Sequence, residues 1–442
     1  MSEDEKKVDE KTKKKLVSRR DVLKGTGAAV IAGAAATLVP GMGAEAQAAT
    51  KGKPNKDLPL EEQEWEFEKK PDPIPASKIV ETLTADIVVV GTGASGMPCA
   101  ISAVETGAQV IALEKLTKEE VYHGGRIYNS RAIGAWYGFS DSRLIEQRGI
   151  KKDIELQKSA LIRASLWRCD QRQINSVVKH GRKVADWWLD ILEGQGIDIN
   201  KIPIEVHAEM NQQELPNQAH SRIGQYAYWH PGAHVITATR VEPALEKHLN
   251  DMGFEISYGI AAKQLIREGN RVTGLIAQGP KGYIRVNARK AVILCTGGYE
   301  GNPEMMKKYL PESGKYREVF GKKTNTGDGY LMAQWIGARM DPWPHCPMTW
   351  DGMNPEALEK LRYDYVGIAR CPWLYVNAFG ERFMNEDAPF GGIGKSMFMQ
   401  PKSMMWTIFD ERWKDEEVLE KLKGTVCRRM TTRRFPLALP MN

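Results

Sequence analysis

The strongest hydrophobic pattern along the chain starts at residue 86, after a long polar stretch. Residues 87–90 form a continuous β-branched run, which suits a strand that is buried on both faces of a parallel sheet. A helical stretch follows this run and reaches Gly107, and a second apolar strand is predicted over 109–113. Strand, helix and strand within about 30 residues predict a βαβ unit.

The middle of the chain predicts a β-meander followed by one more buried strand. Apolar runs and a Glu268-Gly269-Asn270 turn indicate strands over 254–258, 263–266, 272–278, 283–286 and 290–294. The last of these strands ends in Thr296-Gly297-Gly298. Helices and strands mixed in this way predict an α/β fold, and a meander before a late strand is not the order of a plain nicotinamide dehydrogenase.

A glycine-rich loop, Gly91-Thr92-Gly93-Ala94-Ser95-Gly96, joins the first predicted strand to its helix. Its first glycine permits a tight turn, its second lets the backbone approach a diphosphate, and its third allows close packing of helix on strand. Amide groups at the start of the helix then face the phosphates. In this strand-to-helix context the spacing predicts a dinucleotide site rather than a purely structural glycine turn.

An acidic residue, Glu114, ends the second predicted strand, 18 residues after Gly96. A carboxylate at this position accepts hydrogen bonds from both ribose hydroxyls, and it repels a 2′-phosphate, which disfavours NADP. We assign Lys115, beside it, and Ala262, in the predicted hairpin region, to the same cofactor site.

Composition and charge exclude several classes of protein. The 442 residues include 62 Lys and Arg against 56 Asp and Glu, so the formal net charge is +6, and 42% of the residues are hydrophobic. These values argue against collagen-like, disordered, membrane-embedded and nucleic-acid-binding proteins. The six cysteines show no C-x-x-C spacing, so we predict no haem, iron–sulfur cluster or structural metal, and we assign Cys99 and Cys295 to the core.

Residues 1–48 have the order of an export signal, with a charged start, a stretch rich in Ala and Gly, and Ala46-Gln47-Ala48 as a cleavage site. The pair Arg19-Arg20 resembles the twin-arginine signal, which predicts export of the folded protein by the twin-arginine (Tat) translocase to a periplasmic or other extracytoplasmic site. The alternative is a chance pair beside a buried helix. No stable membrane anchor is expected, because the stretch lacks large apolar side chains. Residues 49–84, rich in proline, are predicted to form an extended linker.

From about Ala85 to about Asp410, the chain resembles the fumarate reductase and 3-ketosteroid dehydrogenase group of flavoproteins. The resemblance rests on five blocks in order: the glycine loop with Glu114, His123-Gly124-Gly125 with Asn129-Ser130, residues 291–302, Thr326-Gly327-Asp328-Gly329, and residues 380–386. It implies FAD as the cofactor, held by a Rossmann-like domain of the glutathione-reductase type over 85–342. It also implies an inserted α+β capping domain, here partial and incomplete at the C-terminus, over 343–442.

The resemblance further implies roles for individual residues at the cofactor. Asn129 and Ser130 would contact the flavin or the diphosphate, and Gly125 would also belong to the cofactor site. Thr296 and Gly297 would pack near the adenosine half, and Asp328 would hold the cofactor from the opposite side. Structural interpretations stay open, because T-G-G can be a plain strand end and Asp328 can be a helix cap.

In this group of flavoproteins, the block at 382–386 lies at the active site in the capping domain. Arg382 and Glu386 are therefore candidate catalytic contacts. Four residues after the glutamate, fumarate reductases carry an arginine as proton donor and the related steroid dehydrogenases a tyrosine, but this chain carries Phe390. Phenylalanine has no transferable proton, so we expect a substrate other than fumarate.

Two further catalytic candidates follow from the resemblance. His345 lies near the position of a substrate-carboxylate histidine in fumarate reductases, and a structural histidine is the alternative. Lys395 is a candidate displaced acid, with a solvated surface lysine as the alternative. The predicted pocket segments are also rich in aromatic residues, which suits a flat enone or an aromatic acid unless these residues are simply core: Tyr226, Tyr228, Trp229, Trp343, Trp350, Trp373 and Tyr375.

Together these observations predict FAD-dependent reduction of an activated C=C bond, with hydride transfer from flavin N5. Because the sequence has no haem or cluster motif, electrons would come from an external donor such as a quinol or a cytochrome. One alternative is the opposite reaction, the desaturation of a 3-ketosteroid. Another is a truncated, inactive remnant, because the basic and proline-containing end after Leu422 lacks the glycine-rich segment that closes the FAD domain in this group.

Overall fold

The computed structural model describes residues 59, 62–123, 136–139, 141–147, 149, 154–165, 167–201, 234–311, 324–342, 345, 374–386 and 390–408. All of them belong to one compact unit, which spans Lys56–Asn442. The predicted export signal and the C-terminal tail lie outside the described residues.

The described chain contains both helices and strands, and several helices and several strands follow one another directly. In order they are β1 (Ile79–Val90), α1 (Gly96–Glu105), β2 (Val110–Glu114), α2 (Lys118–His123), β3 (Trp136–Phe139), α3 (Arg143–Gln147), α4 (Ile154–Ala164), α5 (Gln171–Gly194), β4 (His234–Thr237), α6 (Ala238–Asp251), β5 (Ser257–Tyr258), β6 (Ala261–Glu268), β7 (Arg271–Gly279), β8 (Gly282–Leu294), α7 (Pro303–Tyr309), α8 (Asp328–Gln334), β9 (Leu374–Val376), α9 (Phe390–Phe398) and β10 (Trp406–Ile408).

The main sheet has the strand order β5-β2-β1-β8-β7-β6 within the described residues. The strands β5, β2, β1 and β8 run parallel, whereas β8, β7 and β6 form an antiparallel meander. The predicted α/β fold is therefore confirmed, and β8, the strand that follows the rest of the meander in the sequence, pairs with β1. Two smaller antiparallel pairs, β3 with β4 and β9 with β10, lie outside this sheet.

The β-branched run at the end of β1 is buried on both faces, because successive side chains point into two different hydrophobic clusters. Val89 packs with Ile101 of α1 and Trp188 of α5 on one face. Val88 and Val90 pack against residues of β7 and β8 on the other face. This burial holds the end of β1 rigidly, and the glycine loop starts there.

β8 is one strand, not the two short strands predicted over 283–286 and 290–294. Its register with β1 shifts between Ala85 and Ile87, where two residues of β8 lie opposite Asp86. Asp86 accepts a hydrogen bond from Arg289 at 2.8 Å and lies 3.4 Å from the ammonium of Lys290. The polar residues between the two predicted strands therefore form a β-bulge, and both of its cationic side chains pair with one carboxylate, that of Asp86.

The predicted linker is also packed in its second half. Trp65 and Phe67 are buried, and β1 begins at Ile79 rather than near residue 86. Residues 79–85 pair with 283–288 of β8, which extends the sheet. The expectation of an unpacked tether is thus wrong from Trp65 onward, while the predicted domain boundaries stay predictions.

Among the helices that the structure describes, none combines the length and the apolar character needed to cross a bilayer.

Candidate functional site

The glycine loop leaves β1 in a conformation that only glycine allows. Gly91 has a φ of +87°, and a Cβ at this position would overlap the carbonyl oxygen of Cys295. The Gly91 amide donates to Leu113 at 2.7 Å, and the Cys295 amide donates to Val90 at 2.7 Å. The loop is therefore fixed to both strands that flank β1.

Gly96 brings α1 against this loop. A Cβ on Gly96 would overlap the carbonyl oxygen of Gly91 and would lie 3.2 Å from the Cβ of Cys295. The amide of Met97 donates to the carbonyl of Gly93 at 3.0 Å, which starts the helix directly after the loop. Close packing of helix on strand is what the third glycine of the fingerprint provides.

Glu114 holds the end of β2 against the loop. Its Oε2 accepts hydrogen bonds from the amide of Thr92 at 3.0 Å and from the Thr92 hydroxyl at 3.2 Å. Its Oε1 accepts from the amide of Leu116 at 3.0 Å. These three donors fix a buried carboxylate in the cavity wall, next to the glycine loop.

Lys115 reaches across the site to the start of α8. Its ammonium contacts Asp328 Oδ2 at 2.9 Å and Thr326 Oγ1 at 3.2 Å, and it donates to the carbonyl of Thr324. Thr326 in turn donates to Asp328 Oδ1 at 2.7 Å. Asp328 is the first residue of α8 and also lines the cavity, so the structure places it both at a helix start and in the site.

The T-G-G segment that follows β8 and the T-G-D-G block pack together and form one wall of the site. Gly297 has a φ of +75°, and its Cβ would lie 2.7 Å from Oδ1 of Asn325. A Cβ on Gly329 would overlap the hydroxyl of Thr296. The small residues in both blocks are thus required by this contact.

These walls enclose a cavity of about 280 Å³. The residues that line it come from the ends of β1, β2 and β8, the starts of α8 and β6, and the loops between them: Val90, Gly91, Gly93, Ala94, Ser95, Leu113, Glu114, Lys115, Leu116, Ile260, Ala262, Cys295, Thr296, Gly297, Thr324, Asn325, Asp328 and Met332. The cavity thus lies at the carboxyl ends of parallel strands, where open α/β sheets bind ligands.

The sequence profile of the FAD binding domain family matches residues 86–426. The chain belongs to this family of FAD-binding proteins. FAD is therefore its cofactor.

Curated relatives of this FAD-binding chain include two proteins named for fumarate. It is 23% identical over 328 residues to NADH:fumarate oxidoreductase of Klebsiella pneumoniae, covering 74% of this chain and 32% of that protein. It is 24% identical over 334 residues to the probable fumarate reductase Ifc3 of Shewanella frigidimarina, covering 74% of this chain and 51% of that protein. The FAD-binding chain thus spans from about a third to about half the length of these relatives.

A solved structure shares the fold of the FAD-binding chain. The 3-ketosteroid-Δ4-(5α)-dehydrogenase of Rhodococcus jostii RHA1 superposes with a TM-score of 0.55 at 19% identity. The match covers 78% of this chain and 70% of that one.

The residues of the described cavity fit the adenosine diphosphate half of FAD. The glycine cradle leaves space that side chains would fill, and Glu114 presents a carboxylate beside it, as a ribose requires. Ligand sites typically measure about 300–1,000 Å³, so this volume suits part of a dinucleotide. Gly125, Asn129 and Ser130, which were predicted to bind the cofactor, lie outside the described residues.

The candidate catalytic residues do not line this cavity. Arg382 donates to both oxygens of Glu386, at 2.8 and 2.7 Å, and the backbone amide of Tyr375 adds a third bond at 3.3 Å. The guanidinium holds the pKa of the buried Glu386 carboxyl below its ordinary value. Glu386 is therefore ionised at neutral pH and cannot act as a proton donor there. Lys395 lies half-buried on α9.

His345 belongs to an aromatic cluster instead of the cavity wall. Its Nδ1 lies 2.6 Å from the hydroxyl of Tyr299, and its Nε2 lies 3.2 Å from the carbonyl of Asp341. Its ring stacks on Tyr309 at 4.6 Å. With both ring nitrogens in hydrogen bonds, the geometry favours a structural role, and the catalytic role stays a prediction.

Two polar residues of the cavity wall, Thr324 and Asn325, were not predicted from the sequence, because they carry no spacing pattern of their own. Thr92 and Thr326 belong to predicted motifs, and their hydrogen bonds orient Glu114, Lys115 and Asp328. The position of Asn325, directly before the T-G-D-G block, was the one feature of the sequence from which its place in the site could have been predicted.

Cys295 has a second role beyond the predicted core packing. It packs against the core on one side and lines the cavity on the other. The Cys99 thiol donates to the sulfur of Cys295 and Ser95 adds a second bond, and together they lower the pKa of Cys295 to about 7 although burial opposes this. The same pairing raises the pKa of Cys99.

Proposed function

We propose that this chain is an FAD-dependent oxidoreductase that reduces an activated carbon–carbon double bond in a substrate other than fumarate. The observation that carries the proposal is the glycine cradle with its buried acid, Glu114, in a member of the FAD-binding family. When bound, FAD supplies hydride transfer at its N5 atom. The names of the relatives support the carbon–carbon bond as the target, since fumarate reductases and 3-ketosteroid dehydrogenases both act on bonds beside a carbonyl group.

The chain's own residues hold and orient the cofactor. The glycine loop accommodates the diphosphate, and Glu114 accepts hydrogen bonds from the ribose. The ion pair of Lys115 with Asp328 fixes α8 against the end of β2 and shapes the cavity beside the ribose.

The residue at the position of the family's acid disfavours fumarate as the substrate. Phe390 begins α9 and offers no proton. Arg382 and Glu386 neutralise one another, so this pair holds residues 382–386 together rather than supplying a proton. Hydride addition leaves a negative charge on the substrate that a proton must neutralise. A substrate that delocalises this charge well, as an enone does onto its ketone oxygen, depends less on a strong protein acid.

The electron donor and the cellular location belong to the same proposal. Electrons come from an external donor, a quinol or a cytochrome, because the sequence carries no haem or cluster motif. Residues 1–48 direct the folded protein to the twin-arginine translocase and so to the periplasm or another extracytoplasmic site.

The test is a substrate panel under anaerobic conditions with a reduced viologen as donor. We expect cinnamates or urocanate to oxidise the viologen faster than fumarate does. Preferential turnover of fumarate would contradict the proposal. If only 3-ketosteroids react, and they reduce an oxidised dye, the chain runs the desaturation instead.

A further inference from the structure

The segment directly before β1 is built into the fold, although its composition predicts a linker. Residues 65–74, here called the N-terminal arm, contact α7, α8 and β6. Trp65 and Phe67 are each 9% exposed and pack with Met305 and Tyr309 of α7. An extended tether would leave such side chains in water, so the arm has a packed position.

Polar contacts fix the arm at both of its ends. The carboxylate of Glu68 accepts a hydrogen bond from Lys308 at 2.6 Å, and this lysine is 8% exposed. The indole of Trp335, at the end of α8, donates to the carbonyl of Phe67 at 3.0 Å. Further along, Gln264 of β6 bonds the backbone of Asp72 at 2.7 Å and of Ile74 at 3.1 Å.

The arm contacts α8, whose first residue lines the cavity, and α7, which packs against the start of α8. Met305 and Tyr299 fill the space beside Gly327, where an added Cβ would lie 3.1 Å from the Cβ of Tyr299. Gly327 is the N-cap of α8, and the next residue is Asp328. A shift of α7 is therefore transmitted directly to the start of α8, because no space is left between them.

The start of α8 in turn sets the position of Lys115. Asp328 and Thr326 hold the ammonium of Lys115, whose backbone neighbour is Glu114. Arm, α7, α8 and the cavity wall thus form one continuous path of contacts.

We propose that the N-terminal arm is a positioning element of the FAD site. It fixes α7 and α8 so that Asp328 and Lys115 meet at the cavity, and its loss weakens the binding of FAD through its adenosine diphosphate half. The inference depends on FAD binding and not on the proposed substrate. The role of the arm can therefore be tested even if the chain binds FAD and reduces none of the proposed substrates.

Two glutamates of the arm provide a matched comparison. Glu68 faces the buried Lys308, whereas Glu66 is 77% exposed and pairs with Lys69 at the surface. Glu68→Gln removes a charge partner of the buried Lys308 ammonium, and Glu66→Gln removes a surface pair of little energetic value. Both substitutions keep the size of the side chain.

The experiment measures the dissociation constants of FAD and ADP for the full chain, by flavin fluorescence and by competition, at a temperature where far-ultraviolet circular dichroism shows every variant folded. We expect Glu68→Gln to weaken both ligands about tenfold, as a coupling between separate sites of this kind typically does, and Glu66→Gln to change neither. The double variant E68M/K308M, which replaces the ion pair by apolar side chains, is expected to recover most of the affinity.

Unchanged FAD and ADP affinities in Glu68→Gln would overturn the proposal, even if the variant unfolds at lower temperature. That result would show that the arm stabilises the fold without positioning the site. Equal losses in Glu66→Gln and Glu68→Gln would overturn it as well, because the effect would then come from the net charge of the arm.

Discussion

At the scale of single residues, Gly96 leaves no space between α1 and the glycine loop. Alanine at this position would overlap the carbonyl of Gly91, so α1 must move away. We expect Gly96→Ala to cost about 1–3 kcal/mol of stability through overpacking. We also expect FAD affinity to fall by about tenfold or more, since 1.4 kcal/mol of lost binding already gives that factor.

Gly194→Ala is the control for this change. Gly194 ends α5, and a Cβ there meets no atom within 4 Å. Alanine in a helix is favoured over glycine by up to about 1 kcal/mol, so this variant is expected to be at least as stable as the parent. Retained FAD affinity in Gly96→Ala, measured by fluorescence titration, would show that the loop tolerates the extra methyl group.

The thiol pair beside the loop predicts a pH-dependent reaction at Cys295. The pKa of Cys295 is lowered to about 7, so the thiolate fraction rises through that pH. In flavin-free protein, the rate of alkylation of Cys295 by iodoacetamide, followed by mass spectrometry, should rise with a midpoint near pH 7. Cys99→Ala removes the main donor, so the midpoint should move toward the ordinary thiol value of about 8.5.

Bound FAD provides the second half of this experiment. Cys295 lines the cavity, so saturation with FAD should protect it, whereas Cys169, outside the cavity lining, should react at the same rate with and without FAD. Equal alkylation of Cys295 with and without FAD would contradict its place in the cofactor cavity.

At the scale of elements, the bulge between β1 and β8 depends on Asp86. Hydrogen bonds from Arg289 and from the Gln109 amide lower the pKa of Asp86 to about 2. A carboxyl with a lowered pKa stabilises the folded state above its unfolded pKa of about 3.9, and this stabilisation is lost as the pH falls through the folded value. Asp86→Asn should therefore lower the urea midpoint at neutral pH, and its difference from the parent should shrink between pH 4 and pH 2.

Glu81→Gln is the matched control on the same strand, because Glu81 is exposed. It should leave the urea midpoint unchanged across that pH range. A difference between Asp86→Asn and the parent that persists at pH 2 would mean that shape, not charge, holds the bulge.

Elements with a continuous local pattern could be predicted from the sequence, and those set by distant pairing could not. The run at 87–90 indicates a buried strand because every residue in it is β-branched. Residues 79–85 have no such run, and only their pairing with 283–288 makes them a strand. The polar residues at the bulge indicated a strand break because the sequence does not show that Asp86 lies opposite them.

At the scale of the whole molecule, the described cavity predicts which part of FAD binds there. Its walls supply a ribose acid and a phosphate loop, so ADP should compete with FAD, and FMN should compete at least about tenfold more weakly. Competition titrations with FAD fluorescence give both values. Glu114→Gln should weaken FAD and ADP by the same factor, because both lose the same ribose contact.

A different pattern would contradict this assignment of the cavity. If FMN competed as well as ADP, the cavity would hold the flavin half. If Glu114→Gln weakened FAD and left ADP unchanged, the carboxylate would not contact the ribose.

In the site, as in the strands, residues within one short motif could be predicted from the sequence, and residues defined by distant contacts could not. Gly91, Gly96 and Glu114 could be assigned because one short segment contains the entire fingerprint. Asn325 and the N-terminal arm could not, since their roles arise from contacts with residues far away in sequence. His345 was ambiguous for the same reason, because its partner Tyr299 is defined only by the packing.

The pairing of β1 with β8 has a consequence for the synthesis of the protein. Ile79 pairs with Tyr283, so roughly two hundred residues separate the two strands that frame the cradle. A nascent chain on the ribosome therefore lacks half of the nucleotide pocket until β8 has emerged from the exit tunnel. Loading of the coenzyme must come late in translation or after it, and the early βαβ segment must wait for its partner strand with apolar surface exposed.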